Sequence, residues 1–518
     1  MTTSTTPTST DALTTGAMST ALARAQVTVN RARAAQGAWA SMGVAARVAI
    51  IERFRRLVFA ERAAIARTVS EESGKPLPEA YVADVAMALE GAAFLVSKAR
   101  GTLAPKRLRS RTLAAWRKVI TVHHDPYGVV AVVAPWNYPF FFPAMHTMTA
   151  LVAGNAVVLK PSEQTPRSAD HIVRLLHQAG VPSDVLIMLH GDGRMGAGLV
   201  SASVDKVFFT GSERTGRAIA ESCAPRFVPV SLELGGSDAA VVLEDADIAS
   251  ASSGILWGRF TNAGQTCVAS KRVVAVGKAY DALCAALVRG VQGLEITADG
   301  SVDMGPLVSA PQRALIASQL DDAIAQGATV LVQREPRATT GSAAADRMMP
   351  AVVLTNVTPE MRVWQEETFG PVLVVVRAES ERDAIRMAND SRYGLSASVW
   401  TGDRERGARV AAQLETGTAV INDTVIAAGL PEVPHGGVKA SGLGRIHGTE
   451  GLLECVRTRT VVDDRLPRMR QPWWFGYGAS TTANLDAYLR LAHGASWGER
   501  LSGLAGTIRL LLRPERPL

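Results

Sequence analysis

Apolar residues recur at intervals of three and four along the first hundred positions, and then the period changes. The spacing is clearest over 44–69 and 77–98 and predicts helices with one buried face. From Gly128 the apolar positions become continuous instead. Residues 128–134, 156–159, 185–189, 206–210 and 239–243 are short apolar runs of strand length, separated by helical stretches such as 166–179 and 215–223. Strands that are apolar on both faces and alternate with helices predict a parallel sheet covered on each side. A second series follows, with strands expected at 273–276, 329–332, 352–354, 373–377 and 396–400 and helices at 281–293, 310–326 and 381–389. Residues 333–347, rich in Gly, Pro, Thr and Ala, read as a surface loop. The expected fold class is α/β, as two doubly wound domains with a cleft between them, whose ligands sit at the carboxyl ends of the strands.

Composition narrows this picture only a little. A chain of 518 residues is long enough for two or three domains. Its formal charge of +7 is spread widely, so no nucleic-acid partner is expected. Met1 to Ser19 is rich in Ser and Thr and reads as a disordered leader. No run of 18 apolar residues appears, so no membrane span is expected. The four cysteines, Cys223, Cys267, Cys284 and Cys455, form no close pairs, which argues against a disulfide framework and a CxxC metal site. Such sparse use fits a reducing, cytoplasmic setting, and no metal is expected.

Candidate chemistry gathers at the strand ends. Pro135-Trp136-Asn137-Tyr138-Pro139 follows the first apolar strand, and Leu159-Lys160-Pro161-Ser162-Glu163 follows the second. Phe209-Thr210-Gly211-Ser212, closed by Gly216, follows a third. Leu232-Glu233-Leu234-Gly235-Gly236 precedes Asn262-Ala263-Gly264-Gln265-Thr266-Cys267. In this combination and order the chain resembles the aldehyde dehydrogenase superfamily, in its hydrolytic, non-acylating branch, over roughly 21–462.

That resemblance implies roles. Cys267 is the nucleophile that adds to an aldehyde carbon, and the other three cysteines read as buried and inert. Asn137, with the Cys267 backbone N–H, meets the negative charge on oxygen. Glu233 is the general base that activates water against the thioester, and its retention favours hydrolysis over transfer to coenzyme A. Lys160 and Glu163 face the adenosine ribose, and Glu163 tilts the cofactor toward NAD⁺, with NADP⁺ as the other option. Gly211, Ser212 and Gly216 hold pyrophosphate at a helix start, Trp136 walls the cleft or packs in the core, and Glu367 and Phe369 form the nicotinamide end. The implied organisation is a leader over 1–20, an NAD(P)-binding domain from 21–106 and 126–235, an oligomerisation hairpin with bridging strands at 107–125 and 456–464, and a catalytic domain over 236–455. An extension follows over 465–518. A homodimer or homotetramer is implied.

Tyr138, Phe141, Phe142 and Met145 match tunnel positions of the family, with His435 at the substrate mouth. Being aromatic or apolar, the first four predict an aliphatic or aromatic aldehyde. A semialdehyde dehydrogenase and a cofactor-independent esterase or thioesterase are the alternatives, and a non-catalytic role on the same scaffold is a third. His146 stands where many members have a proton-relay lysine. The extension holds eight arginines and three acids with interleaved aromatics, and 501–512 is apolar enough for an interfacial helix. It would either lie on an anionic membrane surface or pack against a neighbouring subunit, the second being favoured.

Overall fold

The computed structural model describes residues 9–110, 112, 115–337, 344–466, 471, 473–475 and 477–511. They fall into two compact units, divided between 102 and 103, 125 and 126, and 457 and 458. The first unit is built on two sheets, so the α/β, doubly wound expectation holds. Its six-stranded sheet runs Gly442–Leu443, Val230–Glu233, Lys206–Thr210, Val129–Val133, Ala156–Lys160, Leu186–Met188, parallel except for the first edge pair. Its seven-stranded sheet runs Thr329–Arg334, Ala351–Thr355, Val372–Ala378, Ser270–Val276, Asp238–Val242, Ser396–Trp400, Thr418–Ile421, and only the Thr329–Arg334 edge is antiparallel. Val129–Val133, Asp238–Val242 and Ser270–Val276 are buried at every position, as strands sandwiched between helices must be.

Three expectations need correction. Ser9–Ser41 is a single helix, although the sequence reads as a leader through position 20; residues 1–8 lie outside the described residues. Ala21, Ala25, Val29 and Ala32 are buried, and the Ala21 backbone passes close to Gly198 of helix Gly193–Ser201. Once that face is packed, extending the helix toward its N-terminus needs no new nucleus. The expected 501–512 helix is split into Trp497–Ser502 and Leu504–Leu511, with Gly503 at the junction donating to the Glu499 and Arg500 carbonyls. Residue 512 lies outside the described residues, as do 338–343 of the predicted loop. In the second unit Lys106–Leu108, Lys118–Pro126 and Val456–Asp464 form a three-stranded sheet.

The third correction concerns Leu77–Leu103, which is long and apolar enough by composition to cross a membrane, where no such segment was expected. Its contacts are those of a core helix. A π-helical stretch, Ala80–Ala86, interrupts it, and there Asp84 pairs with Lys75 at 2.7 Å, both side chains fully buried. Asp84 also accepts from the Phe140 and Phe141 N–H groups at 3.0 and 3.1 Å, while Lys75 donates to the Asn137 carbonyl at 2.8 Å. One buried ion pair thus sets the turn that follows Val129–Val133. Asp84→Ala should cost about 3–5 kcal/mol, because it strands a buried ammonium. Denaturant unfolding reads this directly, and a loss well under 1 kcal/mol would show that the pair does not hold the turn.

Candidate active site

The strand Val129–Val133 lies between Ala156–Lys160 and Lys206–Thr210, where the strand order reverses. A doubly wound sheet opens its ligand crevice at that point. Trp136, Lys160, Glu163, Gly211 and Ser212 line a cavity of about 540 Å³ there. A second cavity of about 740 Å³ shares Trp136, Gly211 and Ser212 and continues to Asn137, Glu233, Cys267, Glu367 and Phe369. The structure therefore brings nearly every predicted cofactor and catalytic residue to one continuous cleft.

At its outer end Lys160 pairs with Glu163 at 2.9 Å, the lysine buried and the carboxylate half-exposed. Ser212 caps helix Glu213–Cys223, its hydroxyl accepting from the Thr215 N–H at 3.4 Å. Two predicted glycines act otherwise than expected. The Gly211 N–H is already donated to the Glu233 carbonyl at 3.0 Å, so Gly211 lines the cleft without offering that donor. Gly216 does not line it. A Cβ there would meet Leu234 Cδ2 at 2.5 Å, so this glycine lets the helix approach the strand. Trp136 walls both cavities and meets Phe369 edge-on, ring centroids 5.4 Å apart.

The loop that carries Cys267 is strained and clamped. Asn262, Ala263 and Gly264 all have positive φ (52°, 53° and 74°), uncommon for the first two. Glu79 fastens it, accepting from the Thr261 hydroxyl at 3.0 Å and the Asn262 N–H at 2.8 Å. Gly264 faces the Gly370 backbone, which a Cβ would meet at 2.5 Å. Cys267 is partly exposed, while Cys223, Cys284 and Cys455 are buried. Asn137 Nδ2 donates to the Gln265 carbonyl at 3.1 Å, which turns this amide toward the cysteine loop and leaves its second N–H for a ligand.

Electrostatics distinguish the carboxylates. Neither Glu233 oxygen has a hydrogen-bond partner among the described residues. Burial pushes its pKa well above the usual carboxylate range, opposed by Arg445 and reinforced by Glu454. Glu367 accepts from the Gly236 N–H at 3.1 Å and lies 3.7 Å from Lys271 Nζ. A Cβ at Gly235 would strike this carboxylate, so the paired glycines make room for it. Burial also pushes the Cys267 thiol up to about 12, with Lys271 pulling the other way. The sequence reading passed over Lys271, Asp238 and Arg259. All three are buried, and no motif marks them; only the four-residue step from Cys267 to Lys271 offers a clue.

On the opposite side Cys267 opens into a cavity of about 110 Å³. Tyr138, Phe141 and Phe142 line it, as predicted, and Met87, Trp257 and Ile426 were missed. These come from three helical segments distant in the chain, so no local pattern could have found them. Among the described residues, no charged side chain lines this tunnel. The Tyr138 hydroxyl bonds Thr266 Oγ1 at 2.6 Å, leaving the ring face to the cavity.

Met145 and His435 are corrected. Met145 packs against Gly91 and lines a separate small cavity with His146, Phe208 and His447, because it sits on the same side of helix Phe141–Val152 as Phe141 but one turn further along. His435 is not at a mouth. Paired backbone bonds of 2.8 Å with Ile446 turn its ring inward, 3.9 Å from Glu233 and 6.0 Å from the His447 ring. His146 Nε2 bonds Thr210 Oγ1 at 3.1 Å and its ring packs on Phe142 and Phe208. Burial lowers the pKa of both His146 and His435 to about 4, so both rings are neutral near pH 7.

Known proteins resemble this chain over most of its length. The model of the aldehyde dehydrogenase family matches residues 2–461. A Methylomonas protein named 4,4'-diapolycopene aldehyde oxidase is 36% identical over 90% of this chain and 87% of its own. A Mycolicibacterium smegmatis protein, "Putative succinate-semialdehyde dehydrogenase" of the NADP(+) type, is 38% identical over 85% of each. Among solved structures, a point mutant of betaine aldehyde dehydrogenase from Staphylococcus aureus, in complex with NAD+, has a TM-score of 0.81 and 31% identity, covering 87% of this chain and 91% of that one.

Proposed function

We propose the following reaction from one premise: the chain belongs to the aldehyde dehydrogenase family. An apolar aldehyde is oxidised to its carboxylic acid through a thioester on Cys267. The observation that carries this reading is the position of Cys267, which borders both the uncharged tunnel and the polar cleft. Aldehyde enters along Tyr138, Phe141 and Phe142 and meets the sulfur, giving a thiohemiacetal. Asn137 Nδ2 and the Cys267 N–H stabilise the oxyanion, each such donor lowering the barrier by about 2.7–4 kcal/mol. NAD(P)⁺ supplies the hydride acceptor. Glu367, Phe369 and Trp136 would hold its nicotinamide end, Ser212 its pyrophosphate, and Lys160 with Glu163 its adenosine ribose. Glu233 then draws a proton from water as that water attacks the thioester. The acid departs and the Cys267 thiolate is restored. Its free carboxylate oxygens suit Glu233 to this task, since no competing hydrogen bond must be broken.

NAD⁺ is the preferred cofactor in this reading. A 2′-phosphate would have to displace Glu163 from Lys160 or accept its charge. The names of relatives favour a second reading, a semialdehyde substrate with NADP⁺. A terminal carboxylate in the tunnel would find no cation on its described lining and would lose several kcal/mol of solvation. An esterase without cofactor leaves the Lys160 to Glu367 cleft unused. Steady-state rates with hexanal, benzaldehyde and succinic semialdehyde, each with NAD⁺ and NADP⁺, separate these readings. kcat/KM is expected to favour the apolar aldehydes by roughly tenfold or more. A clear win for the semialdehyde overturns the substrate class, and ester cleavage with no NADH from any aldehyde overturns the reaction.

A further inference from the structure

Lys271 has no part in the reaction just described, yet its ammonium lies directly behind the nucleophile. The residue is 2% exposed. Its Nζ donates to the Thr266 carbonyl at 3.1 Å and the Cys267 carbonyl at 2.6 Å, and stands 3.7 Å from Glu367 Oε1. The ammonium thus makes two hydrogen bonds to carbonyls and one ion pair with a carboxylate.

The Thr266 carbonyl and the Cys267 N–H belong to the same peptide group. A hydrogen bond to an amide carbonyl draws electron density from its nitrogen, so the N–H becomes a better donor. That N–H is the one that meets the aldehyde oxygen in the reading above. The same cation stands beside a sulfur that must carry negative charge. Charged groups near the sulfur are otherwise mostly acidic: Glu233, Glu367 and Asp238 all disfavour a thiolate. Arg259, another buried cation, spends a guanidinium N–H on the Thr368 carbonyl at 2.9 Å.

We propose that Lys271 is a positioning residue that readies Cys267 for attack: it polarises the peptide whose N–H faces the oxyanion, provides the positive charge a thiolate needs, and tethers Glu367 at the nicotinamide end of the cleft. This inference rests on Cys267 being the nucleophile. It also explains why a lysine is buried here at all. A compact ammonium can reach two carbonyls and a carboxylate from one point, which a planar guanidinium cannot match.

The test is the pH dependence of Cys267 alkylation by iodoacetamide, followed by mass spectrometry in the full-length protein beside its thermal melt. Below the Cys267 pKa the labelling rate rises about tenfold per pH unit, and Lys271→Met is expected to displace that line by about one unit toward higher pH. Labelling near pH 8 then slows by about tenfold, because the thiolate fraction falls by that factor. Lys271→Arg, which keeps the charge, is expected to recover part of the lost rate. Should Lys271→Met fail to fold because it leaves Glu367 unpaired, Lys271→Met with Glu367→Gln, read against Glu367→Gln alone, carries the same comparison. A lower melting temperature with an unmoved dependence of labelling rate on pH marks a merely structural lysine and overturns the proposal. Cys267→Ser separates the two levels of inference. If it still turns over, the nucleophile assignment falls and the Lys271 role with it. If it is inactive while the alkylation rate of Cys267 ignores Lys271, only the role of Lys271 falls.

Discussion

Cys267→Ala is expected to lower aldehyde-dependent NADH formation by at least ~10⁴-fold, the scale seen when a covalent nucleophile is removed. The covalent route is lost altogether, since no other cysteine is placed to substitute. Cys223, Cys284 and Cys455 are buried elsewhere, and burial raises each of their thiols. The variant should still bind cofactor, because the cavity from Lys160 to Ser212 does not involve the sulfur. Quenching of tryptophan fluorescence on addition of NAD⁺ measures this, with Trp136 in the cleft wall as a reporter. Residual turnover within tenfold of the parent would exclude Cys267 as the nucleophile. Loss of cofactor binding together with turnover would point instead to a damaged fold.

Glu233→Gln should separate the two halves of the reaction. Hydride transfer needs no base at this position, whereas attack of water on the thioester does. A burst of NADH close to one equivalent per site is therefore expected, followed by steady-state turnover slowed by about 10²–10⁴-fold. Rapid-mixing absorbance at 340 nm reads the burst, and intact mass identifies the acyl group on Cys267. A proportionate loss of burst and steady state would mean that Glu233 acts before the thioester forms. In the parent enzyme, deacylation should rise with pH through the raised pKa of Glu233, because only the ionised carboxylate accepts a proton.

The raised Glu233 pKa also has a signed effect on stability. The folded state holds the Glu233 proton more tightly than the unfolded chain does. Its contribution is complete below the ordinary carboxylate pKa and is lost as pH rises through the raised value. Glutamine does not titrate, so Glu233→Gln should gain in melting temperature relative to the parent as pH increases. Parallel melts from acid to alkaline pH check that sign.

The fold was legible because its signals are local. Buried parallel strands are continuous apolar runs, and 206–210 and 381–389 were bounded from the sequence as Lys206–Thr210 and Glu381–Asn389 stand in the structure. The cleft was legible for a related reason. Its residues follow strands directly, so Trp136, Asn137, Lys160, Ser212 and Glu233 reach one crevice by the geometry of a doubly wound sheet. The misreadings fell where contacts are long-range. Gly216 reads as a phosphate contact until Leu234 is seen against it. Met145, on the same helix side as Phe141, looks like a tunnel residue until Gly91 is seen against it one turn further on. The Ser- and Thr-rich start looks unstructured, but its helix is stabilised by a partner 177 residues away, where Gln26 bonds Ser203.

What the sequence determines on its own, then, is the α/β architecture, the order of the strand-end motifs and the chemical types that meet at Cys267. Side-chain period and strand-end position are properties of neighbouring residues, so they are written in the chain. Tertiary structure alone decided the rest. It made the tunnel apolar by bringing Met87, Trp257 and Ile426 together, turned His435 inward toward Glu233, and seated the Lys271 ammonium behind the nucleophile. Burial and charge act through space, and their effect on a thiol or a carboxyl depends on which distant groups the fold makes neighbours.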